Sequence, residues 1–229
     1  MATLVSVNIG EPCSFEVRGR GIRTGIFKEP IEERVQVDTL GLVGDHVLNE
    51  FMHGGPDQAV YVYRAEAYNW WRRELAGLWP ETGVQDARMQ PGGFGENLTV
   101  EGLPDEGKLA VGDRIEIGSV LLELTAPRIP CNVFAEKRGD KQFPKRMIAT
   151  GRSGFYCRVL QTGELAVGDR VAYTPLSVAD RISIRRFVHD YHRAMNAATL
   201  RAYLAQPIDV RSRIYLQGQL QKAESCGLG

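Results

Sequence analysis

A single cysteine follows a proline-rich turn at the end of a strand-like run. Residues 120–124 (VLLEL) form a strand-like run, and Pro127, Arg128 and Pro130 precede Cys131. Each proline fixes φ and removes a backbone donor, so the strand should end in a stiff connection that presents a cation beside a thiol. The neighbouring arginine favours thiolate, which is the nucleophilic and metal-binding form of cysteine. The simpler alternative is that Cys131 is one more small buried hydrophobic residue.

A basic segment at residues 23–30 is the second candidate site. It places Arg23, Thr24, Gly25 and Lys28 close together. Arg23 could bind a phosphate through both arms of its guanidinium, and Gly25 would let a backbone N–H approach a ligand closely. The alternative is an exposed basic hairpin tip, because arginine and lysine mostly face solvent.

A third candidate is the turn that contains His53, Gly54 and Gly55, just before a strand. Asp57 could orient the histidine or, more simply, cap the turn. His53 is a candidate proton donor by its chemistry, because imidazole is the side chain most often used for general acid–base work. A zinc or iron site is not indicated, since the sequence supplies no obvious third ligand.

A glycine-rich turn at residues 92–99 includes Gly95, Glu96 and Asn97. Successive N–H groups in such a turn can bind an anion. The turn lacks the lysine and the following helix of a phosphate-binding P-loop, so a tight turn before a strand is the alternative.

A second glycine-rich segment, residues 151–158, puts Arg152 before a strand, where it could add a phosphate contact. Cys157 lies within that strand and is expected in the core. Cys13 and Cys226 carry no predicted role.

Composition limits the possible functions. The 229 residues carry 28 basic and 28 acidic side chains, so the zero net charge argues against a wholly electrostatic nucleic-acid binder. The four cysteines form no CxxC pair and indicate reduced thiols. The N-terminus does not resemble a signal peptide, and no apolar run reaches the roughly 18 residues that span a bilayer. We expect a cytoplasmic protein that does not enter a membrane.

The elements that must position these groups are mainly short strands. Alternating or β-branched runs at residues 4–9, 33–38 and 59–63, separated by turn residues, predict a β-barrel or a sandwich. One helix is predicted over Ala65–Leu75. The hexapeptide LAVGDR occurs at residues 109–114 and again at 165–170, each time before a strand. We interpret it as a turn with glycine at positive φ and an aspartate bonded to its own backbone.

The pattern changes after Pro175, which divides the chain into a β domain at residues 1–175 and a three-helix domain at 176–229. A capping-box-like start at Ser177 precedes apolar residues with helical spacing from Ile184 to Met195. Further helices are predicted over residues 199–206 and 210–224. This tail carries four more basic than acidic residues.

Seven motifs in fixed order resemble the MOSC domain, named for the C-terminal part of molybdenum cofactor sulfurases, in its YiiM-like branch. They are RTGIFKEP (23–30), LGLVGD (40–45), HGGPDQAV (53–60), GGFGENLTVEGL (92–103), VGDR (111–114), APRIPC (126–131) and GRSGFY (151–156). The three-helix tail resembles the C-terminal α domain of that branch. The resemblance implies a mainly β fold, a barrel related to the β-barrel domain of pyruvate kinase, with a small helical domain.

The resemblance also implies a site in which one cysteine holds molybdenum, carried on a phosphorylated pterin dithiolene. By resemblance, Cys131 is the metal ligand and Arg128 pairs with the anionic part of the cofactor. The remaining roles carried over are as follows: Arg23, Thr24, Gly25 and Lys28 contact the pterin or its phosphate; His53, Gly54 and Gly55 shape the cavity; Gly95, Glu96 and Asn97 line it near the metal; Arg152 adds a phosphate contact. Asn132 and Val133 after the cysteine depart from the bulkier residues expected there, which bears on substrate choice.

The family implies an oxidoreductase that detoxifies N-hydroxylated compounds, including hydroxylamino base analogues. A separate flavin or iron–sulfur reductase would donate the electrons, because the sequence has no NAD or flavin fingerprint. Two alternatives remain: a sulfur carrier with a persulfide on Cys131, and a non-catalytic module that binds or stores the cofactor and docks a partner through its basic tail. A homodimer is possible.

Overall fold

The computed structural model describes residues 1–49, 53–76 and 89–225. Over these residues the strands are β1 (Ala2–Ile9), β2 (Cys13–Val17), β3 (Arg20–Thr24), β4 (Glu29–Ile31), β5 (Val35–Asp38), β6 (Gly41–Leu42), β7 (Val60–Arg64), β8 (Leu98–Glu101), β9 (Arg114–Ile117), β10 (Val120–Pro127), β11 (Phe155–Gln161), β12 (Gly163–Leu165) and β13 (Arg170–Thr174). The helices are α1 (Ala65–Leu75), α2 (Asn132–Arg138), α3 (Phe143–Thr150), α4 (Ile184–Asp190), α5 (Ala197–Leu204) and α6 (Val210–Ser225).

Seven strands close into a barrel. Their order is β1, β13, β9, β10, β11, β7 and β8, and β8 pairs again with β1. Neighbours are antiparallel except β7 and β8, which are parallel. Because this ring is closed, the sandwich alternative is excluded and the expected mainly β barrel with a helical C-terminal part is confirmed.

The repeated hexapeptide forms the same turn twice. The carboxylates of Asp113 and Asp169 each accept a hydrogen bond of 2.8 Å from the backbone N–H three residues earlier. Gly112 and Gly168 have φ of 82° and 91°, a region that disfavours side chains. The turns feed β9 and β13, which pair with each other in the barrel wall. The predicted turn chemistry is therefore confirmed.

Helix α1 has the predicted bounds, but α2 and α3 were not predicted. They insert between β10 and β11 and end at glycines in the left-handed conformation. Trp71, Phe94, Phe134 and Phe143 form a second apolar core beneath them. Helix α2 begins immediately after Cys131, so this insertion builds one wall around the thiol.

The first C-terminal helix starts later than predicted. Residues 177–183 are not helical, and Ser183 caps α4 by accepting a hydrogen bond of 3.1 Å from the backbone N–H of Arg186. The prediction of a start at Ser177 is wrong, and so is the extension to Met195, because α4 ends at Asp190. Helices α5 and α6 lie within two residues of their predicted bounds.

The C-terminal helices share one apolar core with the barrel. Phe187, Tyr203 and Leu216 from the tail belong to the same buried cluster as Leu122 and Leu124 of β10. The division at residue 175 stays a prediction. None of the described helices has the length and apolarity needed to cross a membrane.

The two equivalent aspartates should differ in their contribution to stability. Asp113 is fully buried and also accepts from Tyr173, the backbone of Leu176 and Arg181, whereas Asp169 is partly exposed. We expect Asp113→Ala to lower the free energy of unfolding by about 3 kcal/mol, because it strands buried polar partners. Asp169→Ala should lower it by only about 1 kcal/mol. Urea unfolding of the two variants measures the difference, and equal losses would contradict this account.

Candidate functional site

The turn that follows β10 places Cys131 at the edge of the barrel. Cys131 is the N-cap residue of α2, with an extended backbone (φ −111°, ψ 175°). A residue in this position lies beside the unpaired N–H groups of the first helical turn. The prediction that the prolines end the strand and present the thiol agrees with this geometry.

The thiol of Cys131 is shifted toward its ionised form. Burial alone would raise its pKa, but a hydrogen bond from His53 and the positive charge of Arg128 oppose it, and the backbone N–H of Phe134 adds to them. The result is a pKa of about 6 for Cys131. At neutral pH the group is therefore mainly thiolate, which attacks electrophiles and binds soft metals.

Arg128 is buried beside this thiol, with 4% of its surface exposed. Its guanidinium lies 4.9 Å from the ring centre of Tyr61 and 4.5 Å from that of Phe134, and it donates a hydrogen bond of 2.6 Å to the carbonyl of Phe94. Burial alone would lower its pKa, but neighbouring tyrosine and cysteine groups raise it overall. The site therefore keeps a permanent cation within its wall.

Lys28 is also buried, and its partner is Asp45. The two side chains form an ion pair, and Asp45 also accepts hydrogen bonds of 2.8 Å from the Asn97 amide and from the backbone N–H of Gly10. Burial lowers the pKa of Lys28 although Asp45 opposes the shift. Glu29, the next residue along the chain, is exposed. Asp45, the last residue of the LGLVGD motif, is therefore a site residue to which the sequence assigned no role.

Most of the predicted cofactor-binding residues surround one small cavity of about 210 Å³. The predicted residues that line it are Arg23, Thr24, Gly25, Lys28, His53, Gly54, Gly95, Asn97, Arg128 and Cys131. Gly25 is required by close packing, because a Cβ there would lie 2.1 Å from the carbonyl oxygen of His46. Residues that lie more than 100 positions apart in the sequence thus line one cationic cavity.

Glu96 does not line this cavity. Its carboxylate is fully buried and accepts hydrogen bonds from the Tyr68 hydroxyl (2.6 Å), the Thr99 hydroxyl (2.8 Å) and the backbone N–H groups of Gly92 (2.9 Å) and Phe94 (3.2 Å). The N–H groups that we expected to bind an external anion are therefore occupied by the turn's own carboxylate.

Arg152 and Gly55 also lie outside the small cavity. The guanidinium of Arg152 packs 4.3 Å from the ring centre of Trp70 on α1, away from Cys131. Gly55 has φ of 78° and shapes the turn before the barrel strand. It lines neither the small cavity nor the larger cavity that adjoins it at Cys131. Asp57 neither orients His53 nor caps its turn, because its carboxylate pairs with Arg158 and accepts from the backbone N–H of Val210.

Lys137 is a further site residue that the sequence did not reveal. From α2 its ammonium donates hydrogen bonds to the carbonyls of Ile26 (2.8 Å) and Gly92 (2.9 Å). Burial lowers its pKa to about 7. It ties the basic segment to the glycine-rich turn, and nothing in the helical pattern distinguishes it from an exposed lysine.

A second, larger cavity of about 1290 Å³ meets the small one at the thiol. His53, Gln58, Cys131 and Tyr156 line both cavities. The other walls come from α2, α3 and the C-terminal helices. Cys157 is buried in the barrel core as predicted, and Cys226 lies outside the described residues.

The start of α6 holds the histidine turn. Arg211 donates hydrogen bonds to the carbonyls of His53 (3.0 Å) and Gly54 (2.7 Å), and Asp209 accepts one of 3.1 Å from the Gln58 amide. The tail therefore fixes the backbone whose imidazole bonds the Cys131 thiol.

The low thiol pKa can be measured directly. We expect alkylation of Cys131 by iodoacetamide, followed by mass spectrometry across pH, to show a midpoint near 6. Removing the hydrogen bond in His53→Ala should move the midpoint upward, because the thiolate loses a donor. Cys157, whose pKa burial raises, is the internal control and should stay unmodified. A wild-type midpoint near 8.5 would contradict the prediction.

The tail contact has a matched test. Arg211→Ala should slow alkylation of Cys131 at pH 7 several-fold, because His53 is no longer held and the thiol pKa rises. Arg213→Ala is the control. Arg213 lies on the same helix, but its guanidinium donates to the carbonyls of Leu204 and Gln206 and so does not hold the histidine turn through these bonds. Equal alkylation rates in the two variants would show that the contact between Arg211 and the His53–Gly54 turn does not affect the thiol.

Comparison with known proteins identifies the family of the chain. The MOSC domain model matches residues 49–172. A Bacillus subtilis protein, "Uncharacterized protein YflK", is 32% identical over 206 residues, covering 89% of this chain and 87% of that protein. A Gibberella moniliformis protein named "Reductase" is 34% identical over 155 residues, covering 67% of this chain but 26% of that protein. The crystal structure of YiiM from Geobacillus stearothermophilus has a TM-score of 0.75 at 28% identity, covering 96% of this chain and 100% of that one. The chain therefore belongs to the MOSC domain family, as a YiiM-like member.

Proposed function

We propose that the protein binds a molybdenum cofactor through Cys131 and the small cavity, and reduces N-hydroxylated compounds. The observation that carries the proposal is a thiol with a pKa of about 6 at the edge of a cavity lined by Arg23, Lys28 and Arg128. A soft thiolate suits a sulfur-rich metal centre, and cations at the cavity suit a phosphorylated organic group.

The residues present fit such a cofactor. In the described ranges, no group of three or more His, Cys, Asp or Glu side chains could hold a metal ion. A metal bound at Cys131 would therefore take its other ligands from its own organic group, as a pterin dithiolene provides. Arg23 is the exposed cation available to a phosphate, whereas Lys28 is already paired with Asp45.

The cofactor would supply two-electron redox chemistry beside the sulfur of Cys131. Reduction of an N–OH group to N–H consumes two electrons and two protons and releases water. His53 lines both cavities and bonds the thiol, so its imidazole is the side chain best placed to deliver a proton. The electrons would come from a separate reductase. The fungal relative named "Reductase" supports redox chemistry for this family.

Metal analysis tests the proposal. In protein made by a host that synthesises the cofactor, we expect near-stoichiometric molybdenum in the wild type and its loss in Cys131→Ser. Cys13→Ser is the matched control, because Cys13 lies on β2, does not line either cavity and should retain the metal. The loaded wild type should reduce an N-hydroxylated purine when a chemical electron donor is supplied. Molybdenum retained in Cys131→Ser, with full turnover, would overturn the assignment.

The low thiol pKa also favours a second function, sulfur transfer through a persulfide. The Cys131 thiolate would attack the outer sulfur of a desulfurase persulfide, and the desulfurase cysteine would leave as a thiolate. This function predicts a mass gain of one sulfur on Cys131 in metal-free protein, which the molybdenum analysis alone does not detect.

A further inference from the structure

The large cavity has two chemically different walls above the thiol. One wall carries the cations Arg18, Lys141 and Lys145, from the β2–β3 turn, the α2–α3 connection and α3. A second wall comes from the C-terminal helices and presents Tyr191 and Tyr215. A ligand that fits both walls would combine an anionic group with a flat apolar ring.

The cationic wall is not neutralised. Lys141 and Lys145 are exposed, and no acidic side chain in the described ranges forms an ion pair with either. Arg18 bonds the neutral amide of Asn132, at 2.8 Å, which fixes its position beside Cys131 without removing its charge. Over the whole lining of the cavity, the cations Arg18, Lys141, Lys145 and Arg211 outnumber the carboxylates of Glu136 and Asp209. An imbalance of this kind, in a chain of zero net charge, favours an anion.

The wall formed by the C-terminal helices is aromatic. Tyr191 and Tyr215 stack with ring centres 4.9 Å apart and planes inclined by 22°. Tyr215 keeps about a third of its surface exposed, with its hydroxyl fixed by Gln219 at 2.9 Å. A rigid aromatic pair offers a flat face on which a planar heterocycle can stack with little loss of side-chain entropy.

The volume also bears on ligand size. At about 1290 Å³ the cavity exceeds the roughly 300–1,000 Å³ typical of small-molecule sites. A free base would leave the cationic wall unused. A base joined to a sugar phosphate would use the tyrosine wall, the lysines and the space near Cys131 together.

We propose that the large cavity binds a nucleoside monophosphate, with its phosphate on Lys141 and Lys145 and its base between the tyrosine wall and Cys131. This inference rests on the proposed function, and it specifies that the N-hydroxylated substrate is taken as the nucleotide in preference to the free base or nucleoside.

Calorimetric titration of the full chain with AMP and with adenosine tests this directly, because neither compound carries an N–OH group to be reduced. We expect AMP to bind at least about tenfold more tightly, a difference that one charge-assisted contact can supply. Lys141→Ala/Lys145→Ala should abolish the preference. The matched control, Lys108→Ala/Lys222→Ala, removes two exposed lysines away from the cavity and should keep it.

Each outcome decides the inference. Equal affinities for AMP and adenosine, an unchanged preference in the Lys141/Lys145 variant, or no binding at millimolar concentration would overturn it. If AMP does not bind, an acidic protein partner becomes the candidate ligand for Lys141 and Lys145. Reduction of an N-hydroxylated nucleoside without any phosphate advantage would leave the proposed function intact while this inference fails. Lysine-dependent AMP binding without reduction of any N-hydroxylated compound would separate the two in the opposite direction.

Discussion

Burial of the Arg128 guanidinium next to the Cys131 thiol is the constraint on which the site depends. A cation removed from water is tolerated only with compensating partners, and here two aromatic faces and one carbonyl supply part of the compensation. The remaining compensation comes from negative charge on the neighbouring sulfur. Burial would disfavour a lone thiolate, but the hydrogen bond from His53 and the fixed charge of Arg128 outweigh it and lower the pKa of the Cys131 thiol to about 6.

The helical tail is part of this arrangement as well as of the core. Its apolar residues extend the barrel core, and the first turn of α6 binds the carbonyls of the His53–Gly54 turn through Arg211. Ion pairing between Asp57 and Arg158 holds the same turn against the barrel wall. The backbone turn that carries the His53 imidazole is thus held from two sides, by β11 and α6, which each lie more than 90 residues after it in the sequence. A MOSC barrel without such a tail would need another way to hold this histidine.

Local sequence signals predicted the features that depend on local chemistry. Pro127 and Pro130 indicated where β10 ends and the turn to Cys131 begins, and the glycine and aspartate of LAVGDR indicated both turns. The closure of the barrel was not predictable from periodicity alone, which left a sandwich open. Helices α2 and α3, of seven and eight residues, were not predicted, and length alone does not explain this, because α4 and α5 are equally short and were predicted.

The errors in the candidate site have a common physical cause, which is competition from partners inside the protein. Glu96 was expected to face the cofactor, but the N–H groups of its own turn bind its carboxylate. Arg152 was expected to bind phosphate, but its guanidinium packs over the ring of Trp70 on α1. Asp45 received no role, although it binds Lys28 from 17 positions away. Residue type gives the chemistry a side chain can do, whereas only the fold decides which partner reaches it first.

Position at the junction of two cavities distinguishes Cys131 from the other described cysteines. A group held by its sulfur would face the cationic small cavity on one side and the large cavity on the other, with His53 and Tyr156 bordering both. A cofactor bound from the small cavity would therefore leave the large cavity free for a substrate. Sulfur transfer needs only an accessible thiolate and one open approach, and it gives no role to the buried cations around the small cavity. The presence of both the cationic cavity and a separate opening to the thiol is the physical reason to favour cofactor binding over persulfide chemistry.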